Sequence, residues 1–120
     1  MRELTQHKIN ETNEDLHIQV MDSPGPGGAC HDYEITSRTD PDLWCSIVFQ
    51  NGPVKEAGVN GVTHETLLAI LIDRLVGFQS GNYACDDNRE ALNNLRFALD
   101  CLQRRTRARL ARGVEGTSAV

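Results

Sequence analysis

The stretch that decides the fold runs from Thr63 to Gly113, THETLLAILIDRLVGFQSGNYACDDNREALNNLRFALDCLQRRTRARLARG. Thr63 is a natural N-cap, and Leu67, Leu68, Leu71, Ile72, Leu75, Val76 and Phe78 recur at helical spacing. Together they predict a helix from His64 to about Gln79 with one broad apolar face. Ser80-Gly81-Asn82 breaks it. Asp87 and Glu90 then stand at capping-box spacing, and nothing interrupts a second helix before Gly113, a suitable C′ glycine. Two amphipathic helices joined by so short a loop fold back as an antiparallel hairpin.

The second helix carries a seam. Asn88, Leu92, Leu95, Leu99, Leu102, Thr106 and Arg109 follow a 4-3-4-3 spacing, leucine in the middle and polar at both ends. Polar seam ends are either frayed, solvated turns or the walls of a polar pocket. At 1.5 Å per residue the first helix is roughly 24 Å long and the second roughly 39 Å, so the second overhangs its partner. The overhang holds Arg104, Arg105, Thr106, Arg107, Arg109 and Arg112. Cations near a helix C-terminus favour the macrodipole, which accounts for some of them. Five arginines in nine residues repel one another unless anions lie close, so the overhang is expected to be an anion-contacting arm.

Upstream the period changes from helical to two. Leu16, Ile18 and Val20 alternate with polar residues before Pro24-Gly25-Pro26-Gly27-Gly28 breaks the chain. Tyr33 and Ile35 alternate next, Thr39-Asp40-Pro41-Asp42 turns it, and Cys45, Ile47 and Phe49 point one way while Trp44, Ser46 and Val48 point the other. Three short strands with turns between them predict a small antiparallel sheet. The expected fold class is therefore α+β, a small N-terminal antiparallel sheet followed by an antiparallel two-helix hairpin. The expected organisation is a mobile arm over 1–14, a β region over 15–57, and a hairpin domain with its C-terminal tail over 58–120.

The remaining composition narrows the function. With 39% hydrophobic and 24% charged residues, the 120-residue chain belongs to the globular class and not to the disordered one. The longest apolar run, Leu67 to Ile72, cannot span a bilayer, and the N-terminus lacks the apolar stretch of a signal peptide. No membrane association is expected, and the cytoplasm is the default compartment. Cys30, Cys45, Cys85 and Cys101 form no CxxC pair and are expected as free thiols in packed positions. A zinc site from Cys30, His31, Cys45 and His17 matches no recurring ligand spacing, so no metal or other cofactor is expected. Residues 96–112 carry six arginines against Asp100, a local charge of +5 in a chain of net charge −5. So acidic a remainder repels a phosphate backbone, which argues against general nucleic-acid binding and for a local anion site. The chain has no GxxxxGK[ST], GxSxG or HExxH motif, its only lysines are Lys8 and Lys55, and no residue pattern argues for an enzyme.

FQNGP (49–53), GVNGVT (58–63), DRLVGFQSG (73–81) and RRTRARLARGVEGT (104–117) resemble phage nucleotide-sponge proteins. These are the anti-Thoeris and anti-CBASS inhibitors that share a helical hairpin domain, and the N-terminal sheet places the chain nearer the anti-Thoeris branch. The resemblance implies non-catalytic capture of a cyclic nucleotide messenger, of glycocyclic ADP-ribose type or a cyclic di- or trinucleotide, in the host cell cytoplasm. It implies a homo-oligomer, a dimer or a hexamer built as a trimer of dimers. Carried over by position, Phe78 stacks on a base, Asn88 hydrogen-bonds, and Arg105 and Arg109 hold phosphates. Arg74, Thr106, Arg112, Gly113 and Val114 form a second tier of contacts, the last three toward a second, trinucleotide pocket.

Two positions depart from the family pattern. No arginine lies between Arg38 and Arg74, so Lys55 is the nearest cation ahead of the first helix, and Asp86 and Asp87 stand where a basic residue is common. Asn88 and Arg105 are 17 residues apart on one helix, roughly 25 Å by helical rise, so one ligand can meet both kinds of residue only across a subunit interface. Ile70 falls off the main apolar face and has two open roles, a subunit contact or packing on the sheet. The competing functional reading is a small phage regulator that uses the arginine-rich helix on nucleic acid or a protein partner.

Overall fold

Alternating side chains build the first half of the chain. The computed structural model describes residues 1–120 and divides into two compact units, Met1–Val62 and Thr63–Val120. In the first, β1 (Arg2–Leu4), β2 (Leu16–Val20), β3 (Asp32–Ser37) and β4 (Trp44–Val48) form an antiparallel sheet in the order β1-β2-β3-β4. The register pairs Leu4 with Ile18, Ile18 with Ile35, and Ile35 with Cys45; Val20 pairs with Tyr33 and Tyr33 with Ile47. One face is thus mostly apolar, with Arg2 and Ser37 also on it, while Glu3, His17, Gln19, Glu34, Thr36 and Ser46 lie on the other beside Trp44 and Val48. Val20 is the one large side chain on this sheet that is wholly buried, and Tyr33 meets Phe49 edge to face at 5.6 Å.

Residues 1–14, expected as an arm, contain β1 and most of a short helix, α1 (Glu11–Asp15), capped by the Asn10 side chain. Lys8 donates to the Glu14 carbonyl at 3.0 Å, and the His7 ring meets the Leu16 carbonyl at 2.7 Å. Arg2-Glu3-Leu4 contains a single apolar residue, too little for a two-residue period to show. Its pairing with β2 is a property of the assembled sheet.

Two carboxylates brace the loops of this unit. Asp22 accepts from the His31 and Asp32 backbone amides at 2.9 and 3.2 Å, and the His31 amide chiefly holds its carboxyl below the ordinary range against the opposing effect of burial. Asp15 accepts from the Ser37 hydroxyl, which lowers it most, and from the Thr39 amide and hydroxyl.

After β4 comes a one-turn helix, α2 (Val54–Ala57), and then two of the resembling motifs close on each other. Asn60 accepts from the Asn51 amide at 2.8 Å and donates to the Asn51 carbonyl at 2.7 Å. Gln50 accepts from the Asn60 amide at 3.0 Å and donates to the Gly58 carbonyl at 2.7 Å. A parallel bridge joins Phe49 to Val62. A Cβ at Gly61 would stand 2.4 Å from the Phe49 carbonyl carbon, so only glycine lets the two backbones approach this closely.

The second unit is the hairpin of α3 (His64–Gln79) and α4 (Asp86–Ala111). Thr63 caps α3 as expected, in a capping box with Thr66. Capping of α4 differs from the expected Asp87–Glu90 pair: Cys85 is the N-cap, its Sγ accepting from the Asn88 amide at 3.4 Å. Asp86 and Asp87 fill the first turn, where carboxylates favour the macrodipole. Every seam residue from Asn88 to Arg109 is at least half-buried, and Leu92 is the one fully buried residue of the unit. The broad face expected on α3 divides. Leu68, Ile72, Leu75 and Gln79 are half-buried, whereas Leu71, Val76 and Phe78 are exposed, because one neighbouring helix covers a stripe narrower than the face.

Two measurements check these braces. Gly61→Ala should lower stability by about 2–3 kcal/mol, read as a large drop in thermal midpoint, since backbone and not a flexible side chain must move. A carboxyl group held low in the folded state contributes stability above its unfolded pKa and loses it as pH falls through the folded value. Thermal midpoints should therefore hold steady above about pH 5 and decline below about pH 4. Asp22→Asn should lower the midpoint at neutral pH and flatten part of that acid limb.

Candidate functional site

The expected site residues fall into two groups at opposite ends of α4. At one end, Phe78 sits in the last turn of α3 with the Arg74 guanidinium 5.1 Å from its ring centroid. Tyr83 meets Phe78 edge to face at 6.1 Å, and its carbonyl accepts from the Asn88 side chain at 3.4 Å. The Gln79 side chain holds the loop between them closed, accepting from the Cys85 amide at 3.0 Å and donating to the Cys85 carbonyl at 3.1 Å. Arg74, Phe78 and Asn88 thus belong to one corner. Its exposed aromatic surface is the Tyr83 ring, 75% accessible, together with part of Phe78. An aromatic platform with a cation on it and an amide beside it suits a planar, hydrogen-bonding group such as a nucleobase.

At the other end, Arg105, Arg109 and Arg112 lie at i, i+4 and i+7 along α4 and its cap. Arg105 is exposed, and Thr106 and Arg109 are half-buried. The helix ends in a Schellman turn. Gly113, at φ 72°, donates to the Leu110 carbonyl and Val114 to the Arg109 carbonyl, each at 3.0 Å. The turn sends the tail back past Arg109, whose guanidinium donates to Glu115 at 3.0 Å and to the Val114 carbonyl at 3.1 Å. Arg112 donates to the Val120 carbonyl at 2.6 Å. Gly113 and Val114 accordingly belong to the arginine end.

The two ends do not meet within the chain. Asn88 and Arg105 both lie within the continuous helix α4, about 25 Å apart by helical rise. Four further residues were not singled out from sequence: Tyr83, Gln79, Cys85 and Glu115. Each acts through a contact across a turn that no periodicity encodes, and only the run FQSGNYAC hints at a dense loop. Of the four free cysteines, Cys30 is buried and Cys101 half-buried, but Cys45 and Cys85 are exposed, which corrects the expectation of packed thiols. No three His, Cys, Asp or Glu side chains stand close enough to hold a metal ion, and no helix is long and apolar enough to cross a membrane.

Residues 45–107 match the family model described as the Acb2/Tad1 hairpin domain. The chain belongs to that family. The Acb2/Tad1 match takes in Arg74, Phe78, Asn88, Arg105 and Thr106 and stops short of Arg109, Arg112, Gly113 and Val114. The chain is also 41% identical over 93 residues to Thoeris anti-defense 1 of Bacillus phage SBSphiJ7, an alignment that covers 78% of this chain and 64% of that protein. The matched part of the Acb2/Tad1 hairpin depends on Leu92 for its interior. Leu92→Ala should cost about 2–4 kcal/mol in chemical denaturation, while Arg107→Ala, on an exposed face, should stay within about 0.5 kcal/mol.

Proposed function

We propose that this protein is a phage anti-Thoeris factor that captures a cyclic nucleotide messenger of glycocyclic ADP-ribose type and holds it intact. The observation that carries this reading is that Phe78 and Asn88 stand at one end of α4 while Arg105 and Arg109 stand at the other. Phe78 and Asn88 are suited to a base, and Arg105 and Arg109 to phosphates through the planar guanidinium fork. At about 25 Å apart, they cannot grip one small ligand in the same chain. A second copy placed antiparallel brings the base end of one chain to the phosphate end of the other and creates two equivalent sites.

The hairpin supplies a motive for that pairing. Ile70 and Phe97 are each 64% exposed, and Leu71, Val76 and Leu110 are exposed as well, an apolar load that two helices cannot bury alone. Ile70 is accordingly assigned to a subunit contact. Either a dimer or a trimer of dimers satisfies this need, and Arg112, Gly113 and Val114 would line a trinucleotide pocket in the larger assembly. The side chains assigned here to the ligand, Phe78, Asn88, Arg105 and Arg109, are aromatic, amide and guanidinium groups. Such groups bind and orient a ligand, and no nucleophile or general base is among them, which favours capture over turnover.

The test is retention followed by release. Purified protein is incubated with glycocyclic ADP-ribose and a panel of cyclic di- and trinucleotides, filtered and heated, and the released material is weighed by mass spectrometry. The expected outcome is one messenger recovered intact, with retention reduced at least tenfold by Phe78→Ala or Arg105→Ala. A cleaved product would make the protein an enzyme. Retention of none of the panel, with salt-sensitive binding of DNA that survives Phe78→Ala, would establish the arginine helix as a nucleic-acid arm instead. Ile70→Asp combined with Phe97→Asp should lower the assembly mass in sedimentation and abolish retention together.

A further inference from the structure

The Arg109 guanidinium is already occupied. An arginine side chain carries five N–H donors in a fixed fork. Nε donates to Glu115 Oε2 at 3.0 Å, and Nη1 to the Ala119 carbonyl at 2.7 Å. Nη2 donates to the Val114 and Thr117 carbonyls at 3.1 and 3.2 Å. One N–H on Nη1 is left. A bidentate grip on phosphate needs two adjacent donors, so Arg109 in this arrangement cannot make one.

The set of acceptors around Arg109 resembles what a phosphate would offer, a formal negative charge and several oxygens turned toward one guanidinium. The geometry is produced by the chain itself. The Schellman turn at Gly113 reverses the backbone, and the Thr117 hydroxyl and amide both donate to the Val114 carbonyl, closing the tail into a loop around the arginine. The side chain of Arg109 is 14% exposed and that of Glu115 35%, so the carboxylate is the accessible member of the pair. An incoming anion reaches Glu115 first.

We infer that Glu115, with the carbonyls of residues 114–119, is an internal phosphate surrogate that a ligand's phosphate must displace to reach Arg109. The inference rests on the reading of Arg109 as a phosphate-holding residue. Glu115 then sets a charge threshold for the site. A pyrophosphate brings more charge than the carboxylate it replaces and can exchange with it, whereas a neutral nucleoside cannot. Exchange also frees the tail from Arg109, so occupancy of the site and order in residues 114–120 are coupled.

Full-length protein and Glu115→Gln, which preserves shape and removes the charge, are compared by calorimetry with glycocyclic ADP-ribose. The Arg109 Nε–H resonance is followed by NMR during titration with inorganic pyrophosphate. Helical circular dichroism checks that the variant is folded. The expected result is about two- to tenfold tighter binding by Glu115→Gln, and a wild-type Nε–H signal that shifts as pyrophosphate is added. If wild type binds the messenger and Glu115→Gln binds equally or more weakly, the surrogate is overturned: Glu115 is a buttress for Arg109, and messenger capture stands. If the messenger is not bound but pyrophosphate shifts the Nε–H signal, messenger capture fails while displacement of Glu115 by phosphate stands. If neither ligand has an effect, both are overturned.

Discussion

The uninterrupted length of α4 is the constraint on which the rest of the molecule turns. Twenty-six residues of helix act as a ruler that keeps Asn88 and Arg109 on one seam and holds them apart. A kink would let the ends approach, but no proline or glycine interrupts the helix. The leucines between the ends pack against α3 over only part of that length, because α3 has sixteen residues. The seam therefore passes from apolar to polar where its partner helix runs out. One row of side chains thus carries both the apolar packing and, at its ends, Asn88, Thr106 and Arg109.

The two halves of the chain solve different stability problems. The sheet unit is held by loops as much as by strands. Asp15 and Asp22 each gather several donors, and Gln50, Asn51 and Asn60 tie their segments together through amide groups that satisfy backbone donors and acceptors in pairs. The hairpin has little of this. It has one fully buried residue, and many of its larger apolar side chains reach the surface. Burial by a further copy of the chain would supply what a two-helix interior lacks, and it would bring the complementary ends together in the same step.

The arginine cluster shows how self-repulsion is managed in a single chain. Arg104 donates to the Cys101 thiol at 3.1 Å, Arg109 is taken up by Glu115 and three carbonyls, and Arg112 reaches the Val120 carbonyl. Arg105 and Arg107 remain exposed. The tail that follows the helix is thus part of the electrostatics of the helix, with its one anionic side chain, Glu115, on Arg109.

By itself the sequence determined the elements that repeat. Both long helices, the cap of the first at Thr63, the C′ glycine at 113 and the three longer strands were legible, because periodic burial and capping chemistry are local and recur over many residues. The separation of Asn88 from Arg105 was legible too, since both lie on one continuous helix and helical rise is fixed by backbone geometry. The tertiary structure alone decided the pairing of Arg2–Leu4 as an edge strand, the capping of α4 by a thiol and the exposure of Leu71, Val76 and Phe78 on α3. It alone placed Tyr83 against Phe78 and Glu115 on Arg109. Each is a single contact between residues whose spacing repeats nowhere else in the chain. Its free energy depends on the turn that brings two particular atoms together, and a one-dimensional pattern carries no trace of that.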